Sequence, residues 1–180
     1  MGLEKINVRS IITNHVNTLW DYGADKRSYS DLLLFFALPV AVAGFAFWRG
    51  AQLRAIAVTG LLTASTMFVA LLLNLLIMVL AYLRSTEGDP TDQSLQLRKR
   101  YLREIAANLS FSILIALSMV GVSITALFQL KKDQDLIGTV PTFCLMAGAA
   151  ILVLGLLMIL RRMYALILDE FDRHRFKPKA

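Results

Sequence analysis

The sequence predicts an all-α integral membrane protein with four transmembrane helices arranged as two hairpins. Hydrophobic residues make up 57% of the chain, and the mean hydropathy is +0.60. The charged residues, 18% of the total, all lie outside four apolar segments. Each segment reaches or approaches the roughly 17–25 residues that a spanning helix needs. A soluble domain of this length can bury a core without such long apolar runs, so these runs indicate an integral membrane protein.

The four apolar segments are residues 32–48, 55–83, 105–130 and 136–160. The second has no charged residue in 29 positions, which as a helix is about 43 Å long and exceeds a hydrocarbon core of about 30 Å. The first is the shortest and contains Pro39, which removes a backbone donor and should bend the helix. The first two segments, and likewise the last two, are joined by short connections, which predict antiparallel neighbours.

The third and fourth helices are expected to extend beyond the membrane. No residue from Asp92 to Leu130 breaks a helix before Gly121, which spans tolerate, so the third helix should include the basic run RKRYLR. After residue 160 an apolar stripe continues at helical spacing until Pro178 ends it. Both extensions are rich in arginine.

The N-terminal stretch predicts an amphipathic helix, because its apolar residues between positions 8 and 19 fall on one face. Such a helix lies on the membrane or covers the bundle of the same chain. His15 lies on its apolar side, and we interpret it as a packing histidine rather than a ligand or a pH switch.

These segments divide the chain into five regions. They are an N-terminal cytoplasmic or interfacial helix (1–30), a first transmembrane hairpin (31–83), a cytoplasmic loop with a basic helical extension (84–104), a second hairpin (105–160) and a basic C-terminal helix (161–180). Fifteen of the 19 lysines and arginines lie outside the hairpins' short turns. The positive-inside rule therefore predicts a multi-pass inner-membrane protein with both termini in the cytoplasm.

Polar residues follow one face of the third segment at the 3.5-residue spacing of a helix seam. We call this set the polar seam: Glu104, Asn108, Ser112, Ser118, Thr125 and Gln129. The second segment has a weaker stripe of the same kind: Thr59, Thr63, Thr66, Ala70 and Asn74. Small and polar residues join neighbouring helices in membranes, which is the commoner role. In the second interpretation, the polar seam lines a water-filled pore, which requires a homo-oligomer because four helices enclose little space.

Basic residues concentrate on the two helical extensions. We call this set the basic group: Arg98, Lys99, Arg100, Arg103, Arg161, Arg162, Arg173 and Arg175. It is expected to form a vestibule that holds a nucleotide or an oligonucleotide by its phosphates, with steep salt dependence. Alternatively, these side chains only contact lipid headgroups and fix the topology.

Enzymatic activity is not expected. The sequence contains no nucleophile, metal-binding, P-loop or dinucleotide motif, so we predict no catalytic residue, metal or cofactor. No acidic residue or histidine lies in the middle of a predicted span, which disfavours proton-coupled transport, including a small multidrug transporter.

The four spans of residues 32–160, the cytoplasmic termini and the basic extensions at RKRYLR and DRHRFKPK resemble the small membrane effectors of bacterial antiphage systems. Those effectors are encoded beside nucleotidyltransferase-like partners, and the resemblance is one of architecture. It implies an oligomeric ion channel or membrane-disrupting effector that a nucleotide or an oligonucleotide gates. The alternative is a membrane adapter without a channel, whose cytoplasmic helices dock a soluble partner protein or anionic lipid.

Overall fold

The computed structural model describes residues 8–18, 20–21, 26–27, 33–85, 93–130 and 135–176, and beyond residue 168 it describes only the backbone. Within these residues the secondary structure is helical apart from the connections after Trp48 and Phe128 and two short strands, β1 (Trp20–Asp21) and β2 (Lys26–Arg27), which pair antiparallel. The helices are α1 (Val8–Thr18), α2 (Leu38–Trp48), α3 (Ala55–Ser85), α4 (Gln93–Phe128) and α5 (Thr139–Phe176).

Three helices are long and apolar enough to cross a membrane: α3, and the Arg98–Phe128 and Thr139–Leu168 parts of α4 and α5. The remaining apolar helix, Phe35–Trp48, is shorter than 18 residues. A wide π-helical turn, Leu33–Ala37, overlaps the start of this helix, and the α-helical part begins at Leu38, just before Pro39. Because proline lacks a backbone N–H, such a change in helical winding is expected beside it. Within the described residues, three helices could therefore span a membrane by length and composition, and the fourth predicted span is not confirmed.

The two long extensions that the sequence predicts belong to unbroken helices. Helix α4 has 36 residues and α5 has 38, about 54 and 57 Å at 1.5 Å per residue. Both lengths exceed a bilayer core of about 30 Å, so each helix projects beyond it. The predicted N-terminal helix is also present, as the 11 residues of α1.

Helix α4 is central, because α3 packs along one side of it and α5 along another, while α1 lies across its N-terminal half. Helix α2 packs along α5. We predicted that the first two spans would pair with each other, and this pairing is not confirmed. Because α2 has no polar residue between Leu38 and Trp48, its sequence does not specify which face meets which neighbour.

The turns after α2 and α4 meet at one end of the bundle, which we call the turn end. Gly50, with φ of 69°, ends α2 in the left-handed conformation, and Ile137 N donates to Leu53 O at 2.9 Å. Ala55 N donates to Asp135 O at 2.8 Å. The opposite end, where α3 ends and α4 begins, carries the basic group and is called the basic end.

The core forms two clusters along α4. The cluster nearer the basic end contains Leu72, Val79, Leu102, Ile105, Leu109, Ile113 and Ile159, and the one nearer the turn end contains Val58, Met119, Ala126, Ile137 and Leu145. Beside the cluster nearer the basic end, α1 adds polar contacts to the bundle at Asn108, and these contacts define the candidate site.

Candidate functional site

The centre of the candidate site is a pair of buried polar side chains, His15 on α1 and Asn108 on α4. Both are fully inaccessible to solvent. His15 Nδ1 lies 2.9 Å from Asn108 Oδ1, so with the amide oxygen facing the ring the histidine nitrogen donates the hydrogen bond. The ring projects from the apolar face of α1, and the amide belongs to the polar seam of α4. This pair fixes where α1 sits along α4.

Aromatic side chains enclose the imidazole of His15. Its ring is stacked on Phe111, with centroids 3.9 Å apart and planes 2° from parallel, and Phe35 lies 5.0 Å away. Burial lowers the pKa of His15 to about 4. The hydrogen bond with Asn108 opposes this effect, and the positive charge of Arg162 adds to it. The histidine is therefore neutral at neutral pH.

The C-terminal end of α1 is bound to α5 through Arg162. Arg162 Nη2 donates to Thr18 O at 2.6 Å, and its Nη1 lies 3.3 Å from Glu104 Oε2. Glu104 also pairs with Arg100 at 3.4 Å. The Thr18 hydroxyl, with its single proton, lies 2.7 Å from His15 O and 2.8 Å from Asn108 Oδ1 and can donate to either. One carboxylate thus joins two arginines, and one of these holds α1. We call this connected set of side chains the clasp: His15, Thr18, Arg100, Glu104, Asn108 and Arg162.

The middle of the polar seam faces α5 at close range. A Cβ placed on Gly155 would lie 2.8 Å from Ser112 Oγ, and a Cβ on Gly148 would lie 2.9 Å from Met119 Cγ. The two glycines are seven residues apart, as are Ser112 and Met119, so the antiparallel helices meet at a regular repeat. Ser112 is buried in this contact. It packs as the sequence leads one to expect of small residues between membrane helices.

The part of the polar seam nearer the turn end lies on the surface of the chain. Ser118 and Thr125 are exposed, and their hydroxyls donate to carbonyls of their own helix, Leu114 O for Ser118 and Gly121 O or Val122 O for Thr125. Gln129 is exposed just after α4. The six residues that the sequence groups therefore divide into an ion-paired one (Glu104), two buried ones (Asn108 and Ser112) and three exposed ones.

The described members of the basic group lie together at the basic end. Arg100, Arg103 and Arg161 are exposed, whereas Arg98, Lys99 and Arg162 are half-buried. The Arg98 guanidinium lies 4.8 Å from the centre of the Tyr82 ring on α3. Arg173 and Arg175 lie on α5, and their side chains are outside the described part of the chain. The surface is cationic, and Glu104 offsets part of its charge.

Four buried polar atoms of the site have no hydrogen-bond partner among the described residues: His15 Nε2, Asn108 Nδ2, Ser112 Oγ and Arg162 Nη1, the last of which is within ion-pair distance of Glu104. No group of three potential metal ligands occurs in the described part of the chain. The site has no pair of carboxylates and no activated nucleophile in its described contacts. The site is a contact between a helix and a bundle, with one titratable ring and two arginines paired to one carboxylate.

Sequence reasoning singled out His15, Asn108 and Arg162 separately but did not connect them. His15 and Asn108 are 93 positions apart, and Thr18 and Arg162 are 144 apart, so no local pattern pairs them. The role of Thr18 was not anticipated. The close contacts of α4 at Gly148 and Gly155 could have been predicted, because these two glycines recur at the spacing of a helix seam on one helix.

No protein-family model matches the chain, and no curated protein and no solved structure shows significant similarity to it.

Proposed function

We propose that the chain forms an oligomeric inner-membrane channel or pore-type effector, which α1 holds closed and a polyanionic ligand opens from the cytoplasmic side. The observation that carries the proposal is that the clasp binds α1 to two different functional elements. It occupies Asn108 of the polar seam and Arg162 of the basic group at once. A ligand that binds to the basic group can therefore act on the polar seam through α1.

The clasp supports a closed conformation for a physical reason. With α1 in place, the Asn108 carboxamide is fully buried and its oxygen is bound by His15 and Thr18. When α1 leaves, this amide becomes available to water or an ion, as a pore lining requires. The exposed hydroxyls of Ser118 and Thr125 would continue the path towards the turn end. The structure thus corresponds to the resting state of the proposed cycle.

The ligand is a nucleotide or an oligonucleotide, held by its phosphates. Arg100, Arg103 and Arg161 expose guanidinium groups, which bind phosphate oxygens in a bidentate manner. Arg162 is held by Glu104 and by a backbone carbonyl, and a phosphate competes with both. Binding would draw Arg162 away from Thr18 and weaken the hold on α1. The resemblance in architecture to small membrane effectors of bacterial antiphage systems supports a setting in antiphage defence.

Reconstitution in planar bilayers tests the proposal. Inorganic polyphosphate or a short oligothymidylate, added on the side of the basic group, should open a conductance, and raising the salt concentration should weaken the response. Ser118→Trp or Thr125→Trp should change the unitary conductance, whereas Val153→Trp, on an exposed part of α5, should not. Charge reversal by Arg100→Glu with Arg103→Glu should abolish the response and leave insertion intact. A protein that stays silent across voltages and anions is not a channel.

A second function, a membrane adapter without a channel, is favoured by one specific observation. Asn108 and Ser112 are buried within a single chain, so two of the six residues of the polar seam already serve packing. In that case the basic end docks a soluble partner protein or anionic lipid. A monomeric native mass in lipid nanodiscs, together with no conductance, would identify the adapter.

A further inference from the structure

Helix α3 leaves the largest unpartnered face of the three long helices. Only 11% of its most apolar 18-residue window is buried, against 39% for α4 and 28% for α5. Large apolar side chains on this face, such as Met67, Leu71 and Met78, are more than 60% exposed. In a membrane such a face meets either lipid or another protein, and apolar side chains alone do not decide between them.

The polar residue on this face, Asn74, favours another protein over lipid as the neighbour of α3. Asn74 is exposed, and its carboxamide forms no hydrogen bond within the part of the chain that the structure describes. The threonines of the same stripe differ, because the hydroxyls of Thr59, Thr63 and Thr66 donate to backbone carbonyls of α3 itself. These hydroxyls are satisfied without a neighbour. Asn74 is the residue of the stripe that still needs one.

The depth of Asn74 makes this requirement strict. It lies ten residues from Arg84 and twenty from Arg54, about 15 and 30 Å along the helix. These two arginines are about 45 Å apart along the helix, so centring that length on a core about 30 Å thick places Asn74 roughly 7 Å inside the hydrocarbon, on the Arg84 side. Lipid tails offer no hydrogen-bond partner, and an unpaired amide there costs free energy.

A second copy of the chain meets the requirement best. Copies made and inserted in the same way place Asn74 at the same depth, and a two-fold axis normal to the membrane brings the same residue of two copies face to face. A carboxamide has both donors and an acceptor, so identical groups can pair with each other. Ala70 and Thr66, one and two turns away, are small and let two backbones approach closely.

We infer that the exposed face of α3 around Asn74 is the contact between copies of this chain, with the Asn74 carboxamides hydrogen-bonded to each other inside the bilayer. The inference rests on the self-association in the proposed function and assigns it to one helix. It makes Asn74 an association residue, distinct from the clasp and from the exposed residues of α4.

The test is the self-association of the full chain in vesicles of neutral phospholipid, measured by energy transfer between donor- and acceptor-labelled copies over a range of protein-to-lipid ratios. Asn74→Leu should weaken association about threefold to thirtyfold, the range measured for hydrogen bonds between membrane helices. Asn74→Gln, which keeps the carboxamide, should retain most of it. Ala70→Phe should weaken association by crowding the contact, whereas Val153→Phe, on the exposed side of α5, should leave it unchanged.

Each outcome has a distinct meaning. If the wild-type chain associates and both Asn74→Leu and Ala70→Phe associate as strongly, the contact lies elsewhere, so this inference fails and the proposed function stands. If the wild-type chain stays monomeric at all ratios, both fail together. Cross-linking gives a second reading that does not depend on affinity: Ala70→Cys in a Cys144→Ser background should form an intermolecular disulfide on oxidation, and Val153→Cys should not.

Discussion

His15 combines a titratable ring with complete burial in a contact that holds one helix to the rest of the chain. An imidazole is uncharged in its usual form at neutral pH, so it can be buried at little electrostatic cost. Protonation would place a charge between Phe111 and Phe35, with Arg162 nearby. Of the charged groups around the ring, Arg162 repels the proton, and Glu104 is already shared between Arg162 and Arg100. The clasp is therefore sensitive to acid.

The first prediction is that acid destabilises the clasp. The pKa of His15 is about 4 in the folded chain and about 6.5 in the unfolded chain, so between these values the unfolded state binds more protons. The stabilisation is complete above pH 6.5 and is lost as the pH falls towards 4, by about 2 kcal/mol at pH 5. Thermal unfolding in detergent at pH 7 and pH 5 measures it. His15→Phe should remove this part of the pH dependence.

His174→Asn is the matched control, because it removes the other histidine of the chain. It should leave the difference between pH 7 and pH 5 in place. An unfolding temperature that falls equally with pH in the wild-type chain and in His15→Phe would show that other groups carry the acid sensitivity.

At the scale of elements, the sequence predicted the long helices well and their partners less well. The extents of α4 and α5 follow from uninterrupted apolar periodicity, and α1 follows from its amphipathic face. The packing of α2 on α5 could not be predicted, because α2 is apolar on all sides. The clasp could not be predicted either, since it joins residues far apart in the chain that no local spacing relates. Asn108 and Ser112, as a polar residue and a small residue at seam positions, indicated that α4 would pack closely.

The second prediction concerns the notch at Gly148 between α5 and α4. Gly148→Ala puts a Cβ 2.9 Å from Met119 Cγ, so the helices must separate or the methionine must move. We expect a loss of about 1–3 kcal/mol in the free energy of unfolding. Met119→Ala in the same chain should recover part of this loss, and a double-mutant cycle in detergent measures the coupling.

Gly121→Ala on α4 is the control for this change, because a Cβ there has no neighbour within 4 Å. It should be neutral or slightly stabilising, since alanine favours a helix more than glycine does. Independent effects of Gly148→Ala and Met119→Ala, with no coupling, would mean that the two helices do not meet at this notch.

Across the whole molecule, the two ends of the bundle are held by different kinds of contact. At the turn end, backbone hydrogen bonds join the two turns, and Leu53 N donates to the buried Thr142 Oγ1 at 3.2 Å. At the basic end, α1 is held mainly by side chains, through His15 and Arg162. Backbone contacts do not depend on pH or on an added anion, whereas ion-paired side chains respond to both. In the gating that we propose, movement should therefore begin at the basic end.

The third prediction tests the turn end. Thr142→Val keeps the shape of the side chain but removes the acceptor for Leu53 N, which should cost about 1–3 kcal/mol if the N–H stays buried. Thermal unfolding in detergent measures the loss. Thr59→Val is the control, because that hydroxyl is exposed and bonds only to Ala55 O of its own helix. An unchanged unfolding temperature in Thr142→Val would mean that water replaces the lost acceptor.

The last prediction concerns the difference between the two ends when a polyanion binds. Hydrogen exchange of the intact protein in nanodiscs, followed by mass spectrometry, should show faster exchange of α1 on adding inorganic polyphosphate. The amides of Ala55 and Ile137, bonded across the two turns, should exchange at their original rates. Arg162→Gln should speed exchange of α1 without any polyanion, because Thr18 O loses its donor and Glu104 loses a partner. Arg49→Gln, at the turn end, should have no effect on α1. Polyphosphate that slows exchange of α1, or leaves it unchanged while binding, would mean that the basic group holds anions without acting on the clasp, because a ligand shifts only an equilibrium whose two states it binds differently.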